Sequence, residues 1–269
     1  MSRSVTLPMY DIAEVQSSTC ALLEAMVREV CELGEDVVVG TTDRFEHASL
    51  MSLWSGPEMY ISQSCGLPFI EELDDVADIV GTFLWAGISD DHGNYRTCIV
   101  VRDDSGVTRL SELCGARPVI SNSQSLSGWC SLGCALAEVT DDPEFMQSYL
   151  VGESHTGSLQ FLQAGAADVA SIDAATYQLL SRHRPSLVKG LRIIGHGPLI
   201  PATPIIVSKT RTASINDLRI AMHRVIAQVS LATARREIGI VGFVNRDRTD
   251  YEIVNDLVAR AEVVLPRHG

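Results

Sequence analysis

No stretch of the sequence approaches the ~20 consecutive apolar residues of a membrane-spanning helix, so nothing in it reads as an inserted segment. The opening residues, Met1 to Pro8, lack the apolar run of ~7–15 residues that a secretory signal carries. As written the chain therefore reads as cytoplasmic; as a mature chain released from a precursor it reads as periplasmic. Basic charge is scarce, with 21 Lys and Arg against 34 Asp and Glu and a net charge of −13. That balance repels nucleic acid and anionic lipid. It also repels small anions at long range, so an anion site here must rely on local donors. Cysteines number seven, an odd count without tight spacing, which fits a reducing compartment better than a disulfide framework. Cys130 and Cys134 lie one helical turn apart with no second ligand pair, so they read as small buried hydrophobes rather than a metal site. No Gly-x-Ser-x-Gly elbow, metal-spaced His pair or cofactor motif is present, and no cofactor is expected.

What remains is 269 residues, 46% hydrophobic, without like-charge blocks or low-complexity tracts: one large or two medium folded domains. Strand-like and helix-like runs alternate. The strands are read at Val5–Leu7, Val37–Val39, Met59–Gln63, Val76–Trp85, Tyr95–Arg102, Arg117–Ser121, Asp168–Ile172, Leu191–Gly195 and Thr203–Ser208. Helices are expected over 12–33, 45–53, 129–139, 143–149, 158–164, 174–182, 215–231 and 250–264, with a break at Pro198–Pro201. The alternation predicts an α/β protein with mostly parallel sheets covered on both faces.

The stretch of greatest interest is Ser123-Gln124-Ser125-Leu126-Ser127-Gly128, between a β-branched run and a Leu- and Ala-rich one. A strand–turn–helix unit of this kind places serine hydroxyls beside unpaired amides at the positive end of a helix dipole, which can hold an anion. The plain alternative is an ordinary serine N-cap. Similar polar turns recur where other strands hand over to helices, at Tyr10, Trp54, Ser62 to Cys65, Tyr95, His155 and Asp173. In open α/β sheets the carboxyl ends of strands are where ligands bind.

Five segments, taken in order, resemble the substrate-binding proteins of phosphate, phosphite and phosphonate ABC transporters. They are Met9-Tyr10-Asp11; Leu53-Trp54-Ser55-Gly56-Pro57 through Ser62-Gln63-Ser64-Cys65-Gly66-Leu67-Pro68; Gly93-Asn94-Tyr95-Arg96-Thr97; Ser125-Leu126-Ser127-Gly128; and Ser154-His155 through Gly165-Ala166-Ala167-Asp168-Val169-Ala170-Ser171-Ile172-Asp173. The resemblance spans roughly residues 5–208 and implies a two-domain clamp of the type II periplasmic-binding-protein fold. By it, residues 1–99 plus 201–269 form one domain and 100–200 the other, with hinges near 100–102 and 197–201 and a ligand cleft between. It also implies that Ser125, Ser127 and the Gly128 amide hold a tetrahedral oxyanion. Tyr95 adds a hydroxyl from the first domain, His155 a hydrogen bond or charge, and Asp173 faces the ligand beyond the oxyanion, for example an amine. Tyr10, Trp54 and Gln63 line the other wall. Arg96, opposite Tyr95 by strand alternation, reads as a structural ion pair.

The partners implied are a small oxyanion and an ABC permease, with no nucleic acid and no membrane insertion. Two other classes compete. The same fold serves cytosolic enzymes, including some of menaquinone biosynthesis, in which His155, with Asp173 or Cys65, would act as acid or base. A ligand-sensing regulator would need an output segment that the sequence does not show.

Overall fold

A computed structural model describes residues 2–40 and 47–267. Contacts divide the chain into two units, residues 1–94 with 201–251 and residues 95–200 with 252–269. The first contains a six-stranded sheet built from β1 (Arg3–Val5), β2 (Val37–Val39), β3 (Met59–Gln63), β4 (Ala77–Trp85), β10 (Pro204–Ser208) and β11 (Ile240–Asn245), in the order β11-β4-β10-β3-β1-β2. The second contains β5 (Asn94–Arg102), β6 (Pro118–Ile120), β7 (Leu150–Val151), β8 (Val169–Ile172) and β9 (Leu191–Pro201), in the order β7-β6-β8-β5-β9. Helices flank both: α1 (Gln16–Cys31), α2 (His47–Ser55), α3 (Gly66–Pro68, continued by a wide turn over Phe69–Leu73), α7 (Ile215–Ala227) and α8 (Ala232–Ile238) in the first unit. In the second are α4 (Ser131–Leu136), α5 (His155–Gln163), α6 (Ala174–His183) and α9 (Ile253–Val264). The chain is α/β, as its alternating pattern predicts.

The helices form where apolar residues recur at helical spacing and bury one face. Leu22, Leu23, Met26 and Val30 turn α1 inward, and Leu218, Ala221, Met222 and Val225 do the same for α7. The second unit's core joins Val100, Val119, Ala170 and Ile172 from its sheet to Leu159, Leu162 and Leu180 from α5 and α6. Each such valine, leucine, isoleucine or methionine contributes ~1.5–3 kcal/mol on burial.

Several expectations need correction. The sheets are mixed rather than mostly parallel: β10 runs antiparallel to β3 and β4, and β11 antiparallel to β4. β10 enters the first sheet directly from the second, with only residues 202 and 203 between it and β9, so no crossover helix within its own sheet sets it parallel to β3 or β4. β9 continues through Pro198 to Pro201 instead of breaking. It is an edge strand, where a proline's missing N–H costs little. Residues 143–149 form turns, not a helix, with Asp142 Oδ1 accepting from the Glu144 amide at 2.9 Å. The long helix expected over 215–231 stops at Ala227, where Gln228 is extended, and α8 and β11 follow unanticipated. The helix expected from Phe45 starts, among the described residues, at His47; Phe45 and Glu46 lie outside them.

The sequence reading also placed residues 252–269 with the first domain, whereas they contact the second unit. There Trp129 Nε1 donates to the Leu265 carbonyl at 2.9 Å, and Gly133 sits so close to Ala261 that a Cβ would fall 2.7 Å from its methyl. Among the described residues no helix is long and apolar enough to cross a membrane.

Candidate functional site

The second unit gathers one set of expected residues. β6, β7 and β8 are neighbours and run parallel, so their carboxyl ends lie along the same sheet edge. Each then enters a helical segment whose first turn is capped by a side chain. After β6, Ser125 Oγ accepts from the Gly128 amide at 2.9 Å and opens the helical run 126–136. After β7, Ser154 Oγ accepts from the Gly157 amide at 3.0 Å and opens α5. After β8, Asp173 Oδ1 accepts from the Thr176 amide at 2.8 Å and opens α6. β5 runs antiparallel to β8, which brings its first residues, Tyr95 among them, to the same edge.

These entries bring Tyr95, Ser125, Ser127, Gly128, His155 and Asp173 into one neighbourhood. Ser127 Oγ lies 2.9 Å from His155 Nε2. The Tyr95 hydroxyl donates to Asp173 Oδ2. Ser125, Ser127, Tyr95 and Asp173 are 8%, 9%, 4% and 3% exposed. Not all the expected donors are idle. The Gly128 amide is spent on Ser125, so the N-cap reading of that serine is realised. Asp173 serves both as a cap and as the acceptor for Tyr95. The Leu126 and Ser127 amides, at the start of the run, find no acceptor among the described residues. Tyr95, expected to belong to the first domain, begins the second unit instead.

Burial lowers the pKa of His155, and the nearby Asp173 carboxylate opposes that shift only in part. His155 Nδ1 is buried without a hydrogen-bond partner among the described residues. The Cys98 thiol is pushed up to about 12, first by burial and then by the charge of Asp173. The loop carrying His155 is held tightly. Glu153 adopts a left-handed backbone, φ 61°, uncommon for a residue with a side chain. A Cβ on Gly157 would lie 1.9 Å from the Gly152 carbonyl oxygen.

Ser121 was missed as a site residue because it closes an apolar run. Its Oγ is buried without a partner among the described residues and faces Gly128, where a Cβ would come within 2.3 Å of it. The one available signal was its position at the carboxyl end of a strand that feeds the serine turn. Arg96 is exposed while Tyr95 is buried, and its guanidinium donates to the Gly197 carbonyl at 3.0 Å rather than to a carboxylate.

Tyr10, Trp54 and Gln63 belong to the first unit and are buried there. Tyr10 packs on Trp85 with ring centroids 4.2 Å apart. Trp54 Nε1 donates to the Gln63 carbonyl at 3.1 Å, and Gln63 Nε2 to Thr203 Oγ1 at 2.9 Å. Cys130 and Cys134 are buried, and Cys134 Sγ contacts the Leu257 carbonyl at 3.1 Å. Among the described residues no group of three His, Cys, Asp or Glu is placed to hold a metal ion.

No curated protein matches the sequence. Solved structures do. PhnD1 from Prochlorococcus marinus, in complex with methylphosphonate, superposes with a TM-score of 0.79 at 11% identity, covering 98% of this chain and 99% of that one. A binding protein component of an ABC phosphonate transporter from Pseudomonas aeruginosa gives 0.73 at 15%, covering 97% and 87%. XAC2383 from Xanthomonas citri, bound to ATP, gives 0.70 at 18%, covering 97% and 98%. At these identities the likeness establishes the fold, that of type II periplasmic binding proteins. The family described as ABC transporter, phosphonate, periplasmic substrate-binding protein matches residues 7–251, and with that match the chain is a member of this family of substrate-binding proteins.

Proposed function

We propose that this solute-binding protein captures a compact oxyanion of the phosphonate, phosphite or phosphate class and delivers it to an ABC-type permease. Ser127 carries the reading. Its hydroxyl and amide, with the Leu126 amide, stand at a helix entry where a negative group is favoured. Ser125, the Gly128 turn and Ser121 shape the corner, and His155, Tyr95 and Asp173 border it. An anion here offsets the cost of leaving polar donors buried and unpaired, ~1–3 kcal/mol each. Tyr10, Trp54 and Gln63 are engaged within their own unit, and the proposal does not depend on them. The enzyme alternative, with His155 as acid or base, is not favoured by the family relationship.

The test is a thermal-shift panel of methylphosphonate, aminoethylphosphonate, phosphite, phosphate and sulfate. Stabilisation should grow with ligand excess, approaching ~2.7 kcal/mol at a hundredfold excess over Kd. Ser127→Ala should weaken the response about tenfold in affinity while the protein stays folded, its unliganded melting temperature lowered only by the lost contact to His155. A panel in which no oxyanion moves the transition removes the proposal, and an undiminished response in Ser127→Ala removes the serine corner from the site.

A further inference from the structure

We propose that His155 acts at this corner as a neutral positioning residue: it donates from Nε2 to Ser127 Oγ, so that the serine hydroxyl proton is left for the bound anion. The inference rests on the preceding reading for its ligand but on this unit's geometry for its mechanism.

The contact between Ser127 Oγ and His155 Nε2 spans 2.9 Å and admits either direction of donation. The far side of the ring decides between them. Nδ1 is buried and meets no partner among the described residues. If the proton sat on Nδ1, a buried N–H would be orphaned, the rarer and costlier kind of unsatisfied group. A bare Nδ1 leaves only an unfilled lone pair. An imidazolium would add a positive charge while leaving the same N–H orphaned. It would also stand at the first residue of α5, where the positive end of the helix dipole opposes a cation. Burial works in the same direction. Asp173, at the start of α6, is the charged group that acts on the ring. β6, β8 and the helical run 126–136 present no charged side chain to it. The Asp173 carboxylate already receives the Tyr95 hydroxyl and the Thr176 amide.

With Nε2–H filling a lone pair of Ser127 Oγ, the hydroxyl hydrogen points elsewhere. Together with the Leu126 and Ser127 amides it makes a corner of hydrogen-bond donors carrying no formal positive charge. Such a corner favours unprotonated oxygens. A phosphonate should therefore bind better as its dianion, and the protein should add no titration of its own near neutrality.

Imidazole ¹⁵N NMR of the unliganded protein tests the tautomer directly, with the His155 signals assigned by their loss in His155→Gln. The expected result is a protonated Nε2 and a bare Nδ1 between about pH 6 and 8. A proton on Nδ1, or on both nitrogens, overturns the proposal whether or not any ligand binds. The functional arm uses methylphosphonate. Its affinity should rise with the ligand's second ionisation and show no decline up to about pH 8. His155→Gln, which keeps a donor, should retain affinity within about threefold where His155→Ala loses about tenfold. Affinity that falls with rising pH, or equal losses in the two variants, also overturns it. No binding of methylphosphonate or any other oxyanion by the parent protein would sink the proposed function, while the NMR result still decides the tautomer.

Discussion

In the second unit each helical segment that follows a parallel strand begins on a side-chain cap, Ser125, Ser154 or Asp173. In the first unit the entries after β1 and β3, at Ile12, Val15 and Cys65, have none among the described residues. The aromatic and amide groups beside those entries are committed instead to their own packing, Tyr10 on Trp85 and Trp54 to Gln63. Hydrophobic contact suffices to aim a helix. A cap does something further, because it fixes hydroxyls and carboxylates at one end of the sheet while they remain polar. The second unit thus holds a set of positioned polar groups, whereas Tyr10, Trp54 and Gln63 are buried and engaged within the first unit.

The contrast can be broken at its tightest point first. Gly157→Ala drives a methyl into the Gly152 carbonyl and should displace the turn that sets His155. A loss of ~2–3 kcal/mol is expected in urea unfolding, at the upper end for overpacking. Asp173→Ala removes a cap and the acceptor for Tyr95 together, and should cost ~2 kcal/mol by the same measurement. If it costs no more than a surface substitution, the caps of the second unit are ornamental.

Acid provides a gentler probe. The folded pKa of His155 lies below its unfolded one, so the unfolded chain takes up the proton first. The stability from keeping this ring neutral is complete above the ordinary histidine range near ~6.5 and is lost as pH falls towards the folded value, at most ~1.4 kcal/mol per pH unit. That share of the slope should vanish in His155→Gln. Least affected should be Ser214→Ala, which removes the α7 cap of the first unit, Ser214 Oγ to the Asp217 amide at 3.1 Å, at ~1 kcal/mol and with no effect on oxyanion binding.

Much of this was legible in the sequence. β-branched runs gave most strands, and the serine turn announced its helix because hydroxyl residues compete for backbone amides at such positions. Elements set by tertiary context were not. β11 follows Gly239, whose φ of 101° ends α8, and its pairing with β4 depends on residues more than a hundred positions away. Pro198 and Pro201 read as breakers because local propensity cannot tell an edge strand from a central one. At the site, chemistry was easier to read than commitment. Ser125 and Asp173 were visible as polar residues at strand ends, but that both would spend oxygens on caps depends on backbone geometry. Ser121 was hidden because a strand's last residue looks like its neighbours.

The return of α9 to the second unit has a consequence for synthesis. Trp129 and Cys134 find their carbonyl partners on Leu265 and Leu257, so the unit that begins at residue 95 lacks part of its wall until the segment from residue 252 onward is translated. An emerging polypeptide can pair β5, β6 and β8 early yet must keep that indole uncovered until residue 265 has emerged. A nascent chain arrested at residue 252 should accordingly engage holdase chaperones that a chain extending through residue 269 escapes.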